Sequence, residues 1–380
     1  MSLKNVLLTL LIGRSSPKPA PQSLMERLQN VEVTHDDSGK SGFQLTFEAG
    51  RSGSDSLMDT ACHLSPQLRP FSRVVITITF NALPRVLMDG IITNIQYSPE
   101  SSGGSSTFTA TGEDVSVMMD LEEKDVGHSG LSEYAIAGKI IRSYSYYGLI
   151  PQVIQPDSSE TPEPMKRIPF QHATDLAYLN KIAKRFGYLF YIIPGPDPLT
   201  NTAYWGPPIR KGPPQKALSV NLGHVSNVVS INFAYNALSA TKVSGKLHDI
   251  KSKKTIPVRT ETSHRKTALV SEPALTSGLR SRTILTRYSG LTLAQAQSQA
   301  QGLTDSSVDN VATASGELDV LRYGNILQPR SLVDIRGAGY SNDGSWYVKK
   351  ATHKIKQGEY RQSFILSREG MGSLTRRVVV

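Results

Sequence analysis

Residues Phe170 to Ile193, FQHATDLAYLNKIAKRFGYLFYII, constrain the fold more than any other stretch, because their periodicity changes once and sharply. Leu176, Leu179, Ile182, Ala183 and Phe186 recur at three- and four-residue spacing and fall on one face of a helix. Thr174 stands at the N-cap position, and Asp175 puts a negative charge in the first turn. Lys181, Lys184 and Arg185 crowd the last two turns, where cations suit the helix dipole, and Gly187 follows where a left-handed residue ends a helix. Tyr188 to Ile193 then run aromatic and β-branched until Pro194 stops them. A helix that turns at once into a strand is a small α+β packing unit, and nothing in it is catalytic.

Around this unit the period is two. An apolar run over residues 3–12 reads as a first strand, and PKPAPQ (Pro17 to Gln22) as an extended connector. Leu28 to Phe47 reads as strand, turn and strand, with Asp36 to Gly39 supplying the turn chemistry. A looser region around Arg51 to Pro70 precedes Val74 to Phe80, where Ile76, Ile78 and Phe80 alternate with threonines. Val86 to Tyr97 continues the pattern with a bulge or bend expected at Gly90, and Thr107 to Thr111 follows. Short strands at this density imply a barrel or sandwich. After Gly112 the character changes: Ser132 to Tyr147 reads as a helix closed by Gly148, and a Pro-rich loop leads into the helix–strand unit. The passage Gly195 to Pro214 carries too many prolines for a central strand or a helix.

From Leu218 alternation returns, at Val229, Ile231, Phe233 and Tyr235, and then over Thr241 to Ile250. Thr292 and Gln295 form a capping box for a helix expected to bury Leu293, Ala296, Ala300 and Leu303. Strands are expected at Ala314 to Val320, Ser331 to Gly337, Trp346 to Ile355 and Tyr360 to Ser367. The fold class is β-rich α+β, with two tube-like β-barrel domains and an α+β insertion. Residues 1–115 supply most of the first barrel, 116–215 the insertion and 216–240 a return to the first barrel. Residues 241–380 are expected to form the second barrel, with a helix at about 292–308. No sequence repeat marks a duplication.

Charge and cysteine usage bound the function. A net charge of +10 admits a nucleic-acid or acidic partner, or simply a bias spread over solvated faces. No block of Lys and Arg interleaved with aromatics stands out, and the densest basic run, Lys251 to Lys254, is short. The lone Cys62 excludes an intrachain disulfide framework and a cysteine-based zinc cluster. MSLKNVLLTLLIG places Lys4 before an apolar run, but that run ends at Ile12, lacks a cleavage pattern and is too short to span a bilayer. A soluble chain made in the cytoplasm is expected.

Catalytic patterns are missing. The sequence holds no HExxH, no GxSxG, and no phosphate-binding or dinucleotide loop. His35, His63, His128, His172, His224, His248, His264 and His353 are scattered without ligand spacing. Asp36–Asp37 and Glu122–Glu123 lie in turn-like sequence and do not make an acid/base dyad. Tyr144, Tyr146, Tyr147, Tyr188, Phe190 and Tyr191 suggest a stacking platform for single-stranded nucleic acid, or core packing of helix on strand, which their periodicity favours. No catalytic, cofactor-binding or metal-binding residue is assigned, and no cofactor is expected.

TDLAYLNKIAKRFGYLFYI resembles the phage late-control protein D family, which includes baseplate hubs of contractile tails and the N-terminal hub part of type VI secretion spike proteins. NVEVTHDDSGKSGFQLTFEAGR resembles the first hairpin of such hubs. GELDVLRYGNILQPRSLVDIRG, the Gly-Ser-Trp-Tyr strand that follows, the Thr352–His353 step and the closing strand are similar to their final barrel. The resemblance implies two tube-like barrels per chain and a homotrimeric ring, sixfold toward the tail tube and threefold toward the central spike. It implies a structural, non-enzymatic hub assembled in the host cytoplasm, with tube or tube-initiator protein above and a separate spike protein below. Baseplate wedge proteins are further partners, no membrane is involved, and DNA or protein cargo passes through the lumen. A basic β-barrel module that binds nucleic acid stays open as the alternative.

Overall fold

The computed structural model describes residues 2–3, 6–14, 16–49, 67–99, 106–165, 167–248, 253–265, 267–276 and 280–374. Cys62, His63, most of the looser region after Arg51 and part of the run Lys251 to Lys254 lie outside the described residues. Alternation becomes strand where the sequence indicates it. β1 (Val6–Gly13) buries Val6, Leu8, Leu10 and Ile12 on one face. β2 (Leu28–Asp36) and β3 (Gly42–Glu48) form the expected hairpin, whose turn is built by the Asp36 carboxylate accepting from the Ser38 and Gly39 amides at 3.0 Å each. β4 (Arg73–Phe80), β5 (Leu83–Ser98) and β6 (Thr107–Asp114) extend the sheet.

The bulge expected at Gly90 is not there. Gly90 pairs regularly with Val74 and Asp114, and register shifts instead near Leu87 and Thr93. A Cβ at Gly90 would lie 2.4 Å from the Glu113 carbonyl oxygen and 2.8 Å from the Phe43 ring, so the glycine makes room for a close neighbour.

β7 (Glu123–Gly127), α1 (Glu133–Ser143), β8 (Leu149–Val153), β9 (Phe170–Thr174), α2 (Asp175–Arg185), β10 (Leu189–Pro194) and β11 (Asn201–Gly206) make the mixed insertion. β11 corrects the reading of Gly195 to Pro214. It is the central strand of a three-stranded sheet, parallel to β8 and antiparallel to β10. The prolines flank Asn201–Gly206 without interrupting it, so each residue of that run keeps its ladder N–H.

The last part contains β12 (Gln215–Ser219), β13 (Val228–Tyr235), β14 (Thr241–His248), β15 (Thr255–Arg259) and β16 (Arg282–Ser289). They are followed by α3 (Leu293–Val308), β17 (Ala312–Asp319), β18 (Leu332–Arg336), β19 (Gly344–Lys356) and β20 (Glu359–Arg368). Two expected assignments change. Residues 216–240 do not return to the first strands: β12 pairs with β18 and β13 with β17, both in the C-terminal half. β14, β15 and β16 do not join the closing strands either, although the short strand Glu272–Pro273 pairs with Gly370–Met371. β14, β15 and β16 form a separate three-stranded sheet packed on α3, a second α+β unit. α3 packs there through a ridge of small side chains at four-residue spacing, Ala296, Ala300 and Thr304. Leu293 and Leu303 sit off that ridge and are 38% and 46% exposed, contrary to expectation.

One fourteen-stranded sheet runs through both halves of the chain, in the order β1-β4-β5-β6-β3-β2-β19-β20-β17-β13 along its main path, with β18 and β12 branching from β19. β19 is the joint. Its start pairs with β18, and after a register shift around Lys349 its remainder pairs with β2. A single apolar core follows that path, from Val33, Leu45 and Ile76 to Trp346, Phe364 and Leu366. Separate cores fill the two α+β units, around Trp205, Leu179 and Ile182 in the first and around Val243, Val258 and Ala300 in the second. Among the described residues no helix is long and apolar enough to cross a membrane.

Candidate assembly interface

The two halves are stitched by side chains at the β2–β19 seam. Thr34 and Thr352 share a hydroxyl hydrogen bond of 3.0 Å, and the rings of His35 and His353 meet edge to face at 5.9 Å. Nδ1 of His353 and the Tyr360 hydroxyl are 2.7 Å apart. Burial holds the His353 imidazolium down, to a pKa of about 3, and burial, Arg330 and His353 together hold His35 well below its ordinary value. Both rings are neutral at physiological pH and serve as polar packing.

Arg330 ties three parts of the molecule at one point. It is buried, donating to the Ile192 carbonyl at 2.7 Å, the Asp36 carbonyl at 2.9 Å and the Ser41 hydroxyl at 3.1 Å. Its guanidinium lies 4.0 Å over the Tyr191 ring, which itself stacks on Tyr204 at 4.9 Å. The first hairpin, the insertion and the approach to β18 are thereby fixed together. Sequence reasoning missed this residue, since a single arginine between Pro329 and Ser331 carries no local signal.

The two α+β units dock on each other beside it. Arg210 reaches Glu369 and Asp309, each at 2.7 Å, and Arg265 pairs with the other oxygen of Asp309 at 2.5 Å. Arg265 also donates to the Gly187 carbonyl at 3.1 Å. Next to these groups a cavity of about 190 Å³ is lined by Asp37, Tyr347 and Lys349 among others. Oδ1 of Asp37 and the Tyr347 hydroxyl have no protein partner there, and burial pushes the Asp37 carboxyl up to about 6.

Several strands end their sheets with an open side, β13 and β16 among them. β13 closes the main path with no further partner among the described residues, exposing Val229 and Tyr235. β16 is the outer strand of its sheet, and Leu285 on it is 83% exposed. At the opposite end of the main path, β1 is covered only by the short strands Ser2–Leu3 and Lys18–Pro19. Unpaired backbone beside exposed apolar side chains is the surface that strand-to-strand assembly uses.

The residues weighed for chemistry scatter. Among the described residues no group of three or more His, Cys, Asp or Glu side chains is placed to hold a metal. His128 is buried against Gln171, while His172 pairs with Asp125 on the surface. Asp36 builds its own turn, whereas Asp37 turns into the cavity, and Glu122 and Glu123 are exposed. Tyr144, Tyr147 and Tyr188 pack against the core of the insertion, Phe190 is part of it and Tyr191 lies under Arg330, so core packing accounts for them. Only Tyr146 of that group stands out in solvent. Asp175, read as a dipole partner, does more: Lys124, Tyr144 and Gln171 all bond its carboxylate, which holds together β7, α1 and β9.

This architecture is that of phage tail proteins. The fold superposes nearly end to end on a tail protein from Neisseria meningitidis, with a TM-score of 0.63 at 14% identity over 97% of this chain and 98% of that one. The 43 kDa tail protein of prophage MuSo2 from Shewanella oneidensis gives 0.63 at 12% identity, over 96% and 99%. A component of the E. coli type VI secretion system, described as similar to T4 bacteriophage tail proteins gp27 and gp5, gives 0.57 at 12% identity, over 92% and 74%. No protein-family model matches the sequence, and no curated protein matches it. The fold agrees with the resemblance to baseplate hubs seen in the sequence.

Proposed function

We propose that this chain is a structural, non-enzymatic baseplate hub of a contractile tail or contractile injection system, acting as a homotrimer between the sixfold inner tube and the threefold central spike. The observation that carries this reading is the match of the whole chain to whole tail proteins, across both halves and both α+β units. The open strands β13 and β16 support it, because a closed ring covers unpaired edges and has a defined stopping point. In the ring, tube or tube-initiator protein contacts one face and a spike protein the other, with wedge proteins outside and DNA or protein cargo in the lumen. The particle assembles in the host cytoplasm.

The test is mass. Native mass spectrometry or light scattering of the full chain, alone and with tube and spike proteins, should give a species near three times 41.5 kDa. A chain that stays monomeric with both partners present would overturn the hub reading.

A further inference from the structure

A cleft of about 970 Å³ opens between the two α+β units, at the upper end of the size range of ligand pockets. One side is aromatic, formed by Phe186, Tyr188 and Tyr204. These rings are locked together. Tyr188 meets the Phe186 ring at 5.8 Å and the edge of Trp205 at 5.1 Å, and Tyr204 has one face against Tyr191. They give a rigid apolar wall with few free ring faces, which suits aliphatic or prolyl side chains better than stacked bases. Burial pushes the hydroxyls of Tyr188 and Tyr204 up to about 12, so both remain neutral.

The polar lining is asymmetric in what it leaves uncommitted. Asp305 already accepts from Ser263, His264 and Gln301, Glu261 lies 3.6 Å from Lys242, and the third acid of the lining, Asp157 beside Tyr188, is engaged as well. Lys211 and Arg259, from the loop after β11 and the end of β15, line the cleft, are exposed and have no ion pair among the described residues. Gln155 and Gln297 add exposed amides that both donate and accept, as a peptide backbone requires. Polar contacts tether the segment that carries Gln155 to α3: Ser158 to Ser298 at 2.7 Å, Thr292 to Glu160 at 2.9 Å and Arg167 to Gln295 at 2.7 Å.

We infer that this cleft docks an extended, acidic segment of a partner protein. Apolar side chains of the segment lie on the aromatic wall, its carboxylates meet Lys211 and Arg259, and its backbone is served by the two glutamines. This does not rest on the hub reading, because the cleft is complete within one chain.

The test uses the full chain and a fluorescein-labelled dodecapeptide of repeating Glu-Pro-Phe. A Lys-Pro-Phe peptide and a single-stranded oligothymidine serve as competitors. Saturable binding of the acidic peptide is expected, with the Lys peptide inert. The double variant Lys211→Glu and Arg259→Glu should weaken binding about tenfold or more, equal to about 1.4 kcal/mol, with an unchanged thermal midpoint. Hydrogen exchange should slow at residues 154–158 and 294–302 on binding. Absence of binding, equal binding of the Lys peptide, preference for oligothymidine, or an unaffected double variant would each overturn the assignment. A trimer that ignores acidic peptides would remove this inference and leave the hub reading standing.

Discussion

Gly187 and Gly302 touch backbone to backbone, where the end of α2 meets the middle of α3. A Cβ at Gly302 would fall 2.6 Å from the Gly187 amide nitrogen and 2.8 Å from the Arg185 carbonyl oxygen. One at Gly187 would fall 2.9 Å from the Gly302 carbonyl oxygen. Neither neighbour is a side chain that can swing away. Gly302→Ala should therefore wedge the two α+β units apart and cost about 1–3 kcal/mol, the range for forced overpacking. Gly187→Ala adds left-handed strain, since its φ is 63°, and should cost more. Urea titrations of the two variants check the order, and equal stability to the parent would show that the units are not pressed together here.

Arg330→Lys tests whether the buried arginine acts by charge or by shape. Lysine keeps the charge but cannot span the Ile192 and Asp36 carbonyls and the Ser41 hydroxyl while stacking over Tyr191. A loss of about 2 kcal/mol or more is expected for Lys, and a larger one for Met, which leaves those acceptors unserved. A Lys variant as stable as the parent would mean that charge alone suffices.

The buried acid and the buried histidine give opposite pH signatures. Asp37 is raised to about 6 by burial from an ordinary value of 3.8, so its neutral form fits the fold better. Its penalty is absent below pH 3.8 and complete above about pH 6, at about 3 kcal/mol. Asp37→Asn should accordingly stabilise the chain above pH 6 and change little near pH 4. His353 is lowered to about 3 from 6.5, so it contributes stability that is present above pH 6.5 and lost as pH falls toward 3. His353→Asn should flatten that acid limb. Thermal midpoints across pH 3–8 separate the two, and parallel profiles for parent and both variants would refute both assignments.

What the sequence makes legible is what is decided within a few residues. Thr174 caps α2 by accepting from the Ala177 amide, Gly187 is left-handed, and Thr292 with Gln295 closes a capping box, all through short-range chemistry. Strand β11 was hidden because prolines on both sides outweighed the six residues between them. Where β13 and β14 pair was hidden for a different reason. The partner of Phe233 is Ala314, some eighty positions away, and alternation states that a strand exists without naming its neighbour. Arg330 and the Asp309 ion pairs carry no pattern, since their meaning is set by groups brought together from distant segments.

The open edges give the last prediction. Val229 on β13 is 51% exposed and Leu285 on β16 is 83% exposed, so a charge at either site meets solvent in an isolated chain. Val229→Lys and Leu285→Lys should each change monomer stability by no more than about 0.5 kcal/mol, as surface substitutions do. In a ring that pairs these strands across subunits, the same lysines face buried backbone and apolar contacts, and inward charge on an edge blocks pairing. The variants should therefore fold with the parent's thermal midpoint yet shift the mass distribution toward the monomer, one of them more than the other according to which edge lies in the contact. Trimers that form undiminished in both variants would place the subunit contact elsewhere on the molecule, and would remove the open strands from the case for the ring.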